Sequence, residues 1–258
     1  MRLQNKRILI TGASSGIGEA MAKACAREGA DVILLSHHLQ DLQKVTDAIR
    51  QSGGKAHSIL TDLSQQEQVD GLIPRLEREI GEIDTLINNA GLGWGGMIPD
   101  VAMQDLRLVF EVNFFGMFNL CKQALTVMGS RRRGHIINVT SASGRFGLPG
   151  VSAYAASKGA CHTFTSGLRV EGRLLGVYVT EALPISVSTP FFDTMEGKKF
   201  KPKGVVQTPE KVAESIVRCV CSRRPKAEVL PFPLIRLAFV IDAMFPGLLD
   251  RLLGKDHE

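Results

Sequence analysis

A tyrosine and a lysine four residues apart, Tyr154 and Lys158, are the side chains in this sequence best suited to proton-transfer chemistry. At that spacing on a helix, both side chains lie on one face, one turn apart. The phenol of tyrosine has an ordinary pKa of about 10, which makes it a poor acid–base catalyst at neutral pH. A lysine ammonium one turn away favours the phenolate and lowers that pKa. The pair therefore predicts a group that gives or takes a proton at a carbonyl or alcohol oxygen.

A serine precedes this pair at the end of an apolar run. Ser141 follows residues 135–140, whose sequence His-Ile-Ile-Asn-Val-Thr is typical of a buried parallel strand. A loop with glycine and proline comes next, and a helix is predicted to begin near Ser152. In an open α/β sheet, ligands bind at the carboxyl ends of the strands, so Ser141 is placed to hydrogen-bond a carbonyl or alcohol. The alternative is a surface helix that carries Tyr and Lys without any chemistry.

A glycine-rich turn follows the first predicted strand, residues 6–11, and leads into a helical pattern over 19–28. Glycine lets the backbone approach a pyrophosphate, and a helix N-terminus offers free N–H groups and a positive dipole. The spacing Gly-x3-Gly-x-Gly differs from the Gly-x-Gly-x2-Gly of the longer dinucleotide-binding dehydrogenases. The turn therefore predicts a phosphate-binding site. Its candidate cofactor contacts are Gly12, Ser14, Ser15, Gly16, Ile17 and Gly18.

The end of the second predicted strand, residues 31–36, bears on which dinucleotide is bound. An acidic residue there would hydrogen-bond the adenosine ribose and favour NAD. The sequence has Ser36, His37 and His38 instead. His37 either sits against a ribose 2′-phosphate, whose charge favours the imidazolium form, or is one of two solvated loop histidines. The missing acid favours NADP(H), and NAD(H) stays possible.

The third and fourth predicted strands, residues 55–60 and 83–88, also end in candidate cofactor contacts. Asp62 either accepts a hydrogen bond from an adenine amino group or caps the next helix, which is predicted over 65–80. The turn after the fourth strand contains small residues that let the backbone lie beside a bound ring. The candidate contacts from the two turns are Asp62, Leu63, Asn89, Ala90 and Gly91.

A long helix is predicted over 104–128, with Asn113 inside it. An amide is mildly disfavoured in a helix interior, so we expect its side chain to have a partner. A later strand, predicted over 177–183, is followed by a loop over 184–207 that is rich in Lys, Gly and Pro. A long loop beside a site is a candidate lid. A further helix over 209–221 and a short strand over 228–231 complete the sheet.

The alternation of strands and helices predicts an α/β fold with a doubly wound, Rossmann-like parallel sheet. A chain of 258 residues with 44% hydrophobic content is long enough for one large domain. We assign residues 1–232 to a dinucleotide-binding catalytic domain and 233–258 to an apolar helical extension of that domain. The net charge of +5 permits an anionic cofactor or membrane surface, but no basic stripe with interleaved aromatic residues argues for nucleic acid.

The five cysteines are odd in number and most lie in apolar helical contexts. Buried free thiols in a reducing compartment are therefore expected, and the N-terminus runs straight into a strand without a signal peptide. Both features predict a cytoplasmic protein. The pair Cys219 and Cys221 lacks a second Cys/His pair, so no metal site is predicted.

The C-terminal segment 233–253 is very apolar but is interrupted by Arg236, Asp242 and Pro246, and it is too short to span a bilayer. It is either an amphipathic helix pair that lies on a membrane or roofs a lipid-sized pocket, or a tail packed on the core or on a partner subunit. Four lysines in the lid either add attraction to anionic lipid or are simply solvated. These lysines are Lys198, Lys199, Lys201 and Lys203.

Taken together, these motifs resemble those of the short-chain dehydrogenase/reductase family in its small single-domain form. The match extends over about residues 6–190, and its motifs occur in the family's order and spacing. They are Thr11-Gly-x3-Gly-Ile-Gly18, Asp62, Asn88-Asn-Ala-Gly91, Asn113, Ser141, Tyr154 and Lys158. The C-terminal tail also resembles those of relatives that reduce lipid-like ketones, such as 3-ketodihydrosphingosine reductases.

The resemblance implies a seven-stranded sheet and a role for each matching residue. Tyr154 would be the general acid or base, Lys158 would lower its pKa and hold the nicotinamide ribose, and Ser141 would position the carbonyl. Asn113 would hold a water in a proton relay to Lys158. The backbone of residues 89–91 would lie beside the cofactor ribose. The remaining implied cofactor contacts are Pro184, Val187 and Thr189.

The sequence departs from the family pattern at two places. Ile185 follows Pro184 where the family usually has glycine, which affects the backbone path near the nicotinamide. NADP-preferring relatives often have arginine at the position of His37 or a basic residue at that of Ser15. The family also implies a homodimer or homotetramer built on the helices that contain Asn113 and Tyr154.

We therefore expect an NADPH-dependent oxidoreductase that transfers hydride between the nicotinamide and a hydrophobic ketone or alcohol. One alternative is an NAD-dependent alcohol dehydrogenase. A second is a catalytically silent protein that senses the cofactor or associates peripherally with a membrane. The intact set of Asn113, Ser141, Tyr154 and Lys158 argues against the silent protein, because binding alone does not need a tuned phenol.

Overall fold

A computed structural model describes residues 1–147, 149–192, 196–197, 205–245 and 247 of the chain. The strands of its main sheet are β1 (Arg7–Thr11), β2 (Asp31–Ser36), β3 (Lys55–Leu60), β4 (Thr85–Asn88), β6 (His135–Val139), β7 (Tyr178–Ala182) and β9 (Glu228–Val229). All seven are parallel, in the order β3-β2-β1-β4-β6-β7-β9. The predicted doubly wound sheet is confirmed. The strand order reverses between β1 and β4, which places a ligand crevice at their carboxyl ends.

Helices cover both faces of the sheet. The α-helices of the described residues are α1 (Gly16–Arg27), α2 (Leu39–Gln51), α3 (Gln66–Val69), α4 (Leu72–Glu79), α5 (Met103–Phe110), α6 (Gly116–Ser130), α7 (Ser152–Leu174), α8 (Pro209–Val220) and α9 (Ile235–Met244). Successive side chains of β1 enter opposite layers: Ile8 and Ile10 pack with α1, α2 and α8, whereas Leu9 packs with α4, α6 and α7. Burial on both faces explains why the strands are almost continuously apolar.

The single helix predicted over 65–80 is wrong, because the chain turns between α3 and α4. Gly71 has a φ of 67°, in the left-handed region that glycine adopts without strain. The Asp70 carboxylate accepts hydrogen bonds from Gln66 Nε2 and from Asn119 Nδ2, the latter at 2.7 Å. These bonds hold the interruption against α6.

The long helix predicted over 104–128 is present as a continuous helical segment from Met103 to Ser130, but its middle differs from a regular α-helix. A π-helical turn, Glu111–Phe115, separates α5 from α6 and contains Asn113. Such a turn places an extra residue in the helix and is frequent at functional sites. Gly116 follows it, and a Cβ there would lie 2.8 Å from the backbone oxygen of Leu63, so only glycine fits this approach.

The predicted lid and tail are described only in part. A short strand, β5 (Trp94–Gly95), pairs with β8 (Glu196–Gly197), a two-stranded sheet that the sequence pattern did not predict. Lid residues 193–195 and 198–204, including its four lysines, lie outside the described residues, as do tail residues 246 and 248–258. The described tail residues form the helix α9, and the segment predicted to hold a second helix lies mostly outside the described residues. Within the described part of the chain, no helix is both long and apolar enough to cross a membrane.

Candidate active site

Thr11 and Asn89 join the turns that follow β1 and β4. The Thr11 hydroxyl oxygen accepts hydrogen bonds from the backbone N–H groups of Asn89 at 3.0 Å and Ala90 at 2.9 Å. In return, Asn89 Nδ2 donates to the carbonyl oxygens of Thr11 and Gly12. The two turns therefore form one continuous edge of the crevice. Thr11 was part of the motif identified in the sequence, but no role was predicted for it. Its hydroxyl at the end of the first strand was the signal that could have indicated one.

The glycines of the first turn create a surface made of backbone. A Cβ on Gly18 would lie 2.0 Å from the carbonyl oxygen of Gly12, and one on Gly12 would lie 2.8 Å from the Cα of Ala90. A Cβ on Gly16 would lie 3.0 Å from Cγ2 of Thr189, which places that predicted contact against the turn. Side chains at these positions would fill the approach to the helix, so the glycines fit a ligand that contacts backbone directly.

The N-terminus of α1 supplies hydrogen-bond donors. Among the hydrogen bonds of the described residues, none is donated by the backbone N–H groups of residues 14–18. The Ser14 hydroxyl is engaged by the Ser36 hydroxyl at 2.8 Å, whereas Ser15 precedes the helix without a side-chain cap. Ile17 packs against the core. Free N–H groups at a helix N-terminus, in a glycine-lined turn, fit the pyrophosphate of a dinucleotide.

The end of β2 presents histidines in place of a carboxylate. The Ser36 hydroxyl oxygen accepts a hydrogen bond from the backbone N–H of His38 at 3.1 Å. His37 is exposed, and its ring centroid lies 3.8 Å from that of His38. Partial desolvation lowers the pKa of His37, the neighbouring His38 lowers it further, and Asp62 opposes both effects. The imidazole of His37 is therefore predominantly neutral at neutral pH.

Asp62 forms a local turn and does not cap a helix. Its Oδ1 accepts hydrogen bonds from the backbone N–H of Ser64 at 2.9 Å and from the Ser64 hydroxyl at 2.8 Å. Helix α3 begins at Gln66 after Gln65, so the predicted capping alternative is wrong. Leu63 packs against the core layer of α4 and α6.

Asn113 is buried and its side chain is fully engaged, which confirms that it has partners. Its Oδ1 accepts from the backbone N–H of Leu92 at 2.7 Å, and its Nδ2 donates to the Leu92 carbonyl oxygen and to Ser157 Oγ, both at 2.9 Å. Ser157 in turn donates to the carbonyl oxygen of Tyr154 at 2.7 Å. Asn113 thus connects the loop after β4 to the first turns of α7. Ser157 was missed from the sequence, although it directly precedes Lys158.

Lys158 and Tyr154 lie together at the carboxyl end of β6. The Lys158 side chain is buried, and its Nζ donates to the Val139 carbonyl oxygen at 3.2 Å. The same Nζ lies 5.9 Å from the centre of the partly buried Tyr154 ring. A Cβ on Gly91 would lie 3.4 Å from Nζ, so the backbone of Gly91 runs beside the ammonium. The ammonium is held between the Tyr154 ring and the β4 turn.

Ser141 opens a 3₁₀ turn, Ala142–Gly144, at the end of β6. Its Oγ accepts a hydrogen bond from the Ser143 N–H at 3.2 Å and lies 2.8 Å from the Ser143 hydroxyl. The Ala142 N–H donates to the carbonyl oxygen of Pro184 at 3.0 Å, which joins the ends of β6 and β7. Val187, also predicted as a cofactor contact, is buried and forms a parallel bridge with Gln207.

The structure therefore places the predicted residues along one edge of the sheet. The glycine turn and the Asn89 turn line the crevice between β1 and β4, and the hydroxyl, phenol and ammonium gather at the end of β6. No group of three or more His, Cys, Asp or Glu side chains suited to a metal ion occurs among the described residues. This arrangement can bind a dinucleotide and transfer a proton at an oxygen atom beside it.

Comparisons with known proteins agree with this arrangement. The sequence profile of the short chain dehydrogenase family matches residues 6–199. The ketoacyl reductase HetN of Nostoc sp. is 30% identical over 255 residues, which cover 97% of this chain and 88% of HetN. The bovine dehydrogenase/reductase SDR family member 7B is 32% identical over 269 residues, covering 98% of this chain and 82% of the relative.

Solved structures of short-chain dehydrogenases have a similar fold. A short-chain dehydrogenase/reductase from Burkholderia phymatum, in complex with NAD, has a TM-score of 0.84, 26% identity and 95% coverage of both chains. A short-chain dehydrogenase from Sphingobium yanoikuyae, in complex with NADPH, has a TM-score of 0.82, 25% identity and the same coverage.

Proposed function

Because the chain belongs to the short-chain dehydrogenase/reductase family and is an NAD(P)-dependent oxidoreductase, we propose that it uses NADPH to reduce a hydrophobic ketone or aldehyde. The observation that carries the proposal is the arrangement of Tyr154, Lys158 and Ser141 at the end of β6, beside a backbone-lined dinucleotide crevice. Each of the three side chains has a distinct task at the oxygen of the substrate.

When bound, the nicotinamide would supply a hydride to the carbonyl carbon. The Tyr154 hydroxyl gives its proton to the carbonyl oxygen, and the Ser141 hydroxyl donates a hydrogen bond to the same oxygen. The Lys158 ammonium faces the phenolate that remains and stabilises its charge, an effect strengthened because Lys158 is buried. One Lys158 N–H is used by the Val139 carbonyl oxygen, which leaves two to hold the nicotinamide ribose.

Asn113 serves the site through its backbone. Because its amide hydrogens and its side-chain oxygen are engaged by Leu92 and Ser157, a relay water would bind at the Asn113 carbonyl oxygen. That oxygen lies within the π-helical turn and accepts a hydrogen bond from the Cys161 thiol at 3.2 Å. A thiol is a weak donor, so this carbonyl retains capacity for a water molecule.

The dinucleotide is held along the sheet edge from β2 to β7. The residues proposed to hold it are Gly12, Ser14, Ser15, Gly16, Ile17, Gly18, His37, Asp62, Leu63, Asn89, Ala90, Gly91, Tyr154, Lys158, Pro184, Val187 and Thr189. The two solved relatives contain NAD in one case and NADPH in the other, so we base the cofactor preference of this chain on the residues at the end of β2. Ser36 occupies a position where a carboxylate would repel the 2′-phosphate of NADPH, and His37, which can carry a positive charge, follows it. Both features favour NADPH over NADH.

The role of His37 predicts a pH dependence of cofactor preference. Its pKa is lowered in the free protein, so binding a phosphate dianion requires uptake of a proton. The preference for NADPH over NADH should therefore rise as the pH falls from about 8 to about 6.5, by up to about fivefold for an exposed charge pair worth at most about 1 kcal/mol. Fluorescence titration of both cofactors across this range measures the ratio of their Kd values.

A pair of variants isolates this histidine. In His37→Gln the preference should be smaller and independent of pH, whereas His38→Gln should keep the wild-type slope. An unchanged slope in His37→Gln would remove His37 from the phosphate site.

Apolar side chains beside the loop before α7 support a hydrophobic substrate. The N–H of Gly96 donates to the carbonyl oxygen of Gly150 at 2.8 Å, which places the segment after β5 beside the loop before α7. That segment exposes Met97 and Ile98, both more than half accessible. The Nostoc relative is named a ketoacyl reductase, and a ketoacyl group is a ketone carried on an acyl chain.

The proposal is tested by cofactor oxidation with the purified protein. Butanone and undecan-2-one are offered with NADPH and with NADH, and kcat/KM is measured for each pair. We expect undecan-2-one with NADPH to give the highest value. A preference for butanone would refute the hydrophobic pocket, and faster turnover with NADH would refute the cofactor assignment.

Exposed apolar residues also support assembly through the helices that contain the site. Phe115 and Phe118, at the start of α6, and Val170 and Leu174, on α7, are between 42% and 70% accessible. We propose a homodimer or homotetramer that covers this face, in a cytoplasmic protein. All five cysteines are free thiols, as is usual in a reducing compartment.

A further inference from the structure

A group of charged side chains that the proposed reaction does not use contacts Thr140, the residue before Ser141. Its centre is Glu181 on β7, whose side chain is fully buried. The Thr140 hydroxyl donates to Glu181 Oε1 at 2.7 Å, and Nδ1 of His162 lies 2.9 Å from both carboxylate oxygens. A buried carboxylate is costly unless it is hydrogen-bonded and paired, so these contacts hold it in place. An acidic residue in an otherwise apolar strand was the sequence signal for this group, and it was missed.

Two arginines approach the same carboxylate, and one of them extends outward. Guanidinium nitrogens of Arg145 and Arg169 lie 3.9 Å and 4.0 Å from Glu181 Oε2. Arg145 also forms a hydrogen-bonded ion pair with Glu228 on β9. Arg145 therefore lies between a carboxylate in the core and one on the edge strand, an arrangement that fixes its planar group.

Helix α9 covers the outer side of Arg145. The ring centroid of Phe239 lies 4.8 Å from Cζ of Arg145 and 5.9 Å from the ring centroid of Phe146. Arg236, one turn earlier on α9, pairs with Glu228 at 3.3 Å. No residue of α9 is itself fully buried. Contacts with Arg145, Phe146 and Glu228 therefore connect the C-terminal helix to the rest of the protein.

Arg145 belongs to the turn that begins at Ser141. It directly follows the 3₁₀ turn Ala142–Gly144, and its N–H donates to the Ala142 carbonyl oxygen at 3.0 Å. On the α7 side the turn has no spare room, because a Cβ on Gly144 would lie 2.7 Å from the Lys158 carbonyl oxygen. The turn is therefore confined by α7 on one side and by Arg145 on the other.

We infer that Arg145 is a positioning residue for Ser141, and that helix α9 sets the affinity for the carbonyl substrate through Arg145. The inference rests on the proposed function, in which Ser141 hydrogen-bonds the carbonyl oxygen. Loss of the Phe239 contact frees one side of Arg145, the turn shifts, and the Ser141 hydroxyl leaves its productive position. The glycine turn proposed to hold the pyrophosphate is separated from this group by β4, so the Kd for NADPH should change less than the KM for the ketone.

The first test compares Phe239→Ala with Leu237→Ala. Leu237 is on the same helix, is 64% accessible and provides a matched control. For Phe239→Ala we expect the KM for undecan-2-one to rise about three- to tenfold, the range of a coupling between neighbouring packed groups, with a smaller change in the Kd for NADPH. Hydrogen–deuterium exchange should be faster in the peptide that contains residues 141–147, and Leu237→Ala should match the wild type in every measurement.

The second test asks whether the charge of Arg145 is needed. Arg145→Gln leaves two carboxylates without their shared cation, so its KM should rise at least as much as that of Phe239→Ala, whereas Arg145→Lys should restore part of the loss. Circular dichroism shows whether each variant is folded. If Arg145 only stabilised the fold, its variants would have a lower unfolding midpoint, and the KM for the ketone would not rise more than the Kd for NADPH.

The outcomes distinguish this inference from the proposed function. Wild-type KM and wild-type exchange in Phe239→Ala would overturn the inference, as would a parallel rise of KM and the Kd for NADPH. If the wild-type protein reduces no ketone, the proposed function fails by that result alone. Exchange in the 141–147 peptide then still decides whether α9 controls the turn.

Discussion

Replacing Tyr154 by Phe should abolish nearly all turnover while leaving NADPH binding intact. The change removes one hydroxyl, the proposed proton donor, and keeps the ring that packs 5.7 Å from Phe191. General acid catalysis of this kind contributes about 100- to 10,000-fold, so kcat should fall by a factor in that range. Cofactor oxidation with undecan-2-one measures the loss, and NADPH fluorescence measures the Kd.

A second variant checks that the loss arises from proton transfer. Tyr178→Phe removes the hydroxyl of the other tyrosine, which is exposed on β7, and should have wild-type kcat. If Tyr154→Phe retains more than a tenth of the activity, another group supplies the proton. If it loses NADPH affinity as well, the hydroxyl contributes to binding.

Replacing Gly18 by Ala should cost both stability and cofactor affinity. The added Cβ would lie 2.0 Å from the Gly12 carbonyl oxygen and 2.7 Å from Asn89 Nδ2, so the turn must move away from α1. Overpacking a tight site costs about 1 to 3 kcal/mol, and we expect the free energy of unfolding to fall by at least that amount. Because the same turn lines the proposed pyrophosphate site, the Kd for NADPH should rise at least about tenfold, a change of about 1.4 kcal/mol.

The same substitution at an open position provides the control. Gly167 lies within α7, and a Cβ there meets no atom within 4 Å. Gly167→Ala should therefore raise the free energy of unfolding by about 0.5 to 1 kcal/mol, because alanine favours the helix. Urea unfolding and NADPH titration apply to both variants. Tight NADPH binding by Gly18→Ala would show that the turn does not contact the pyrophosphate.

Local patterns were sufficient to predict the sheet and the position of the candidate site. Apolar runs bounded by glycine or polar residues identify parallel strands, and the strand ends bring together Gly12, Asn89, Ser141 and Tyr154 because parallel strands end at one edge. The roles of these residues remain predictions. Their placement follows from topology alone.

The features that were not predicted depend on contacts between distant segments. Within the π-helical turn, Asn113 binds both backbone groups of Leu92, twenty-one residues away in the chain, and the helical periodicity of the sequence does not predict such a contact. Glu181 is a charged residue within a buried strand, but its side-chain partners come from three separate segments: Thr140 after β6, Arg145 after the 3₁₀ turn, and His162 and Arg169 on α7. Only the folded chain shows that Arg145 is one of them.

The hydrogen bonds between Thr11 and Asn89 have a consequence for how the protein folds. They join residues 78 positions apart, at the ends of the paired strands β1 and β4. These strands can pair only when the intervening residues have folded or have been left aside as one large loop. Closing such long-range contacts is slow, so the crevice belongs to a late stage of folding. Partly folded chains therefore have no site for a nicotinamide cofactor, and the cofactor stabilises only the completed sheet by mass action. In a cell, the supply of reduced cofactor would then influence how long each newly made chain survives, as well as how fast it works.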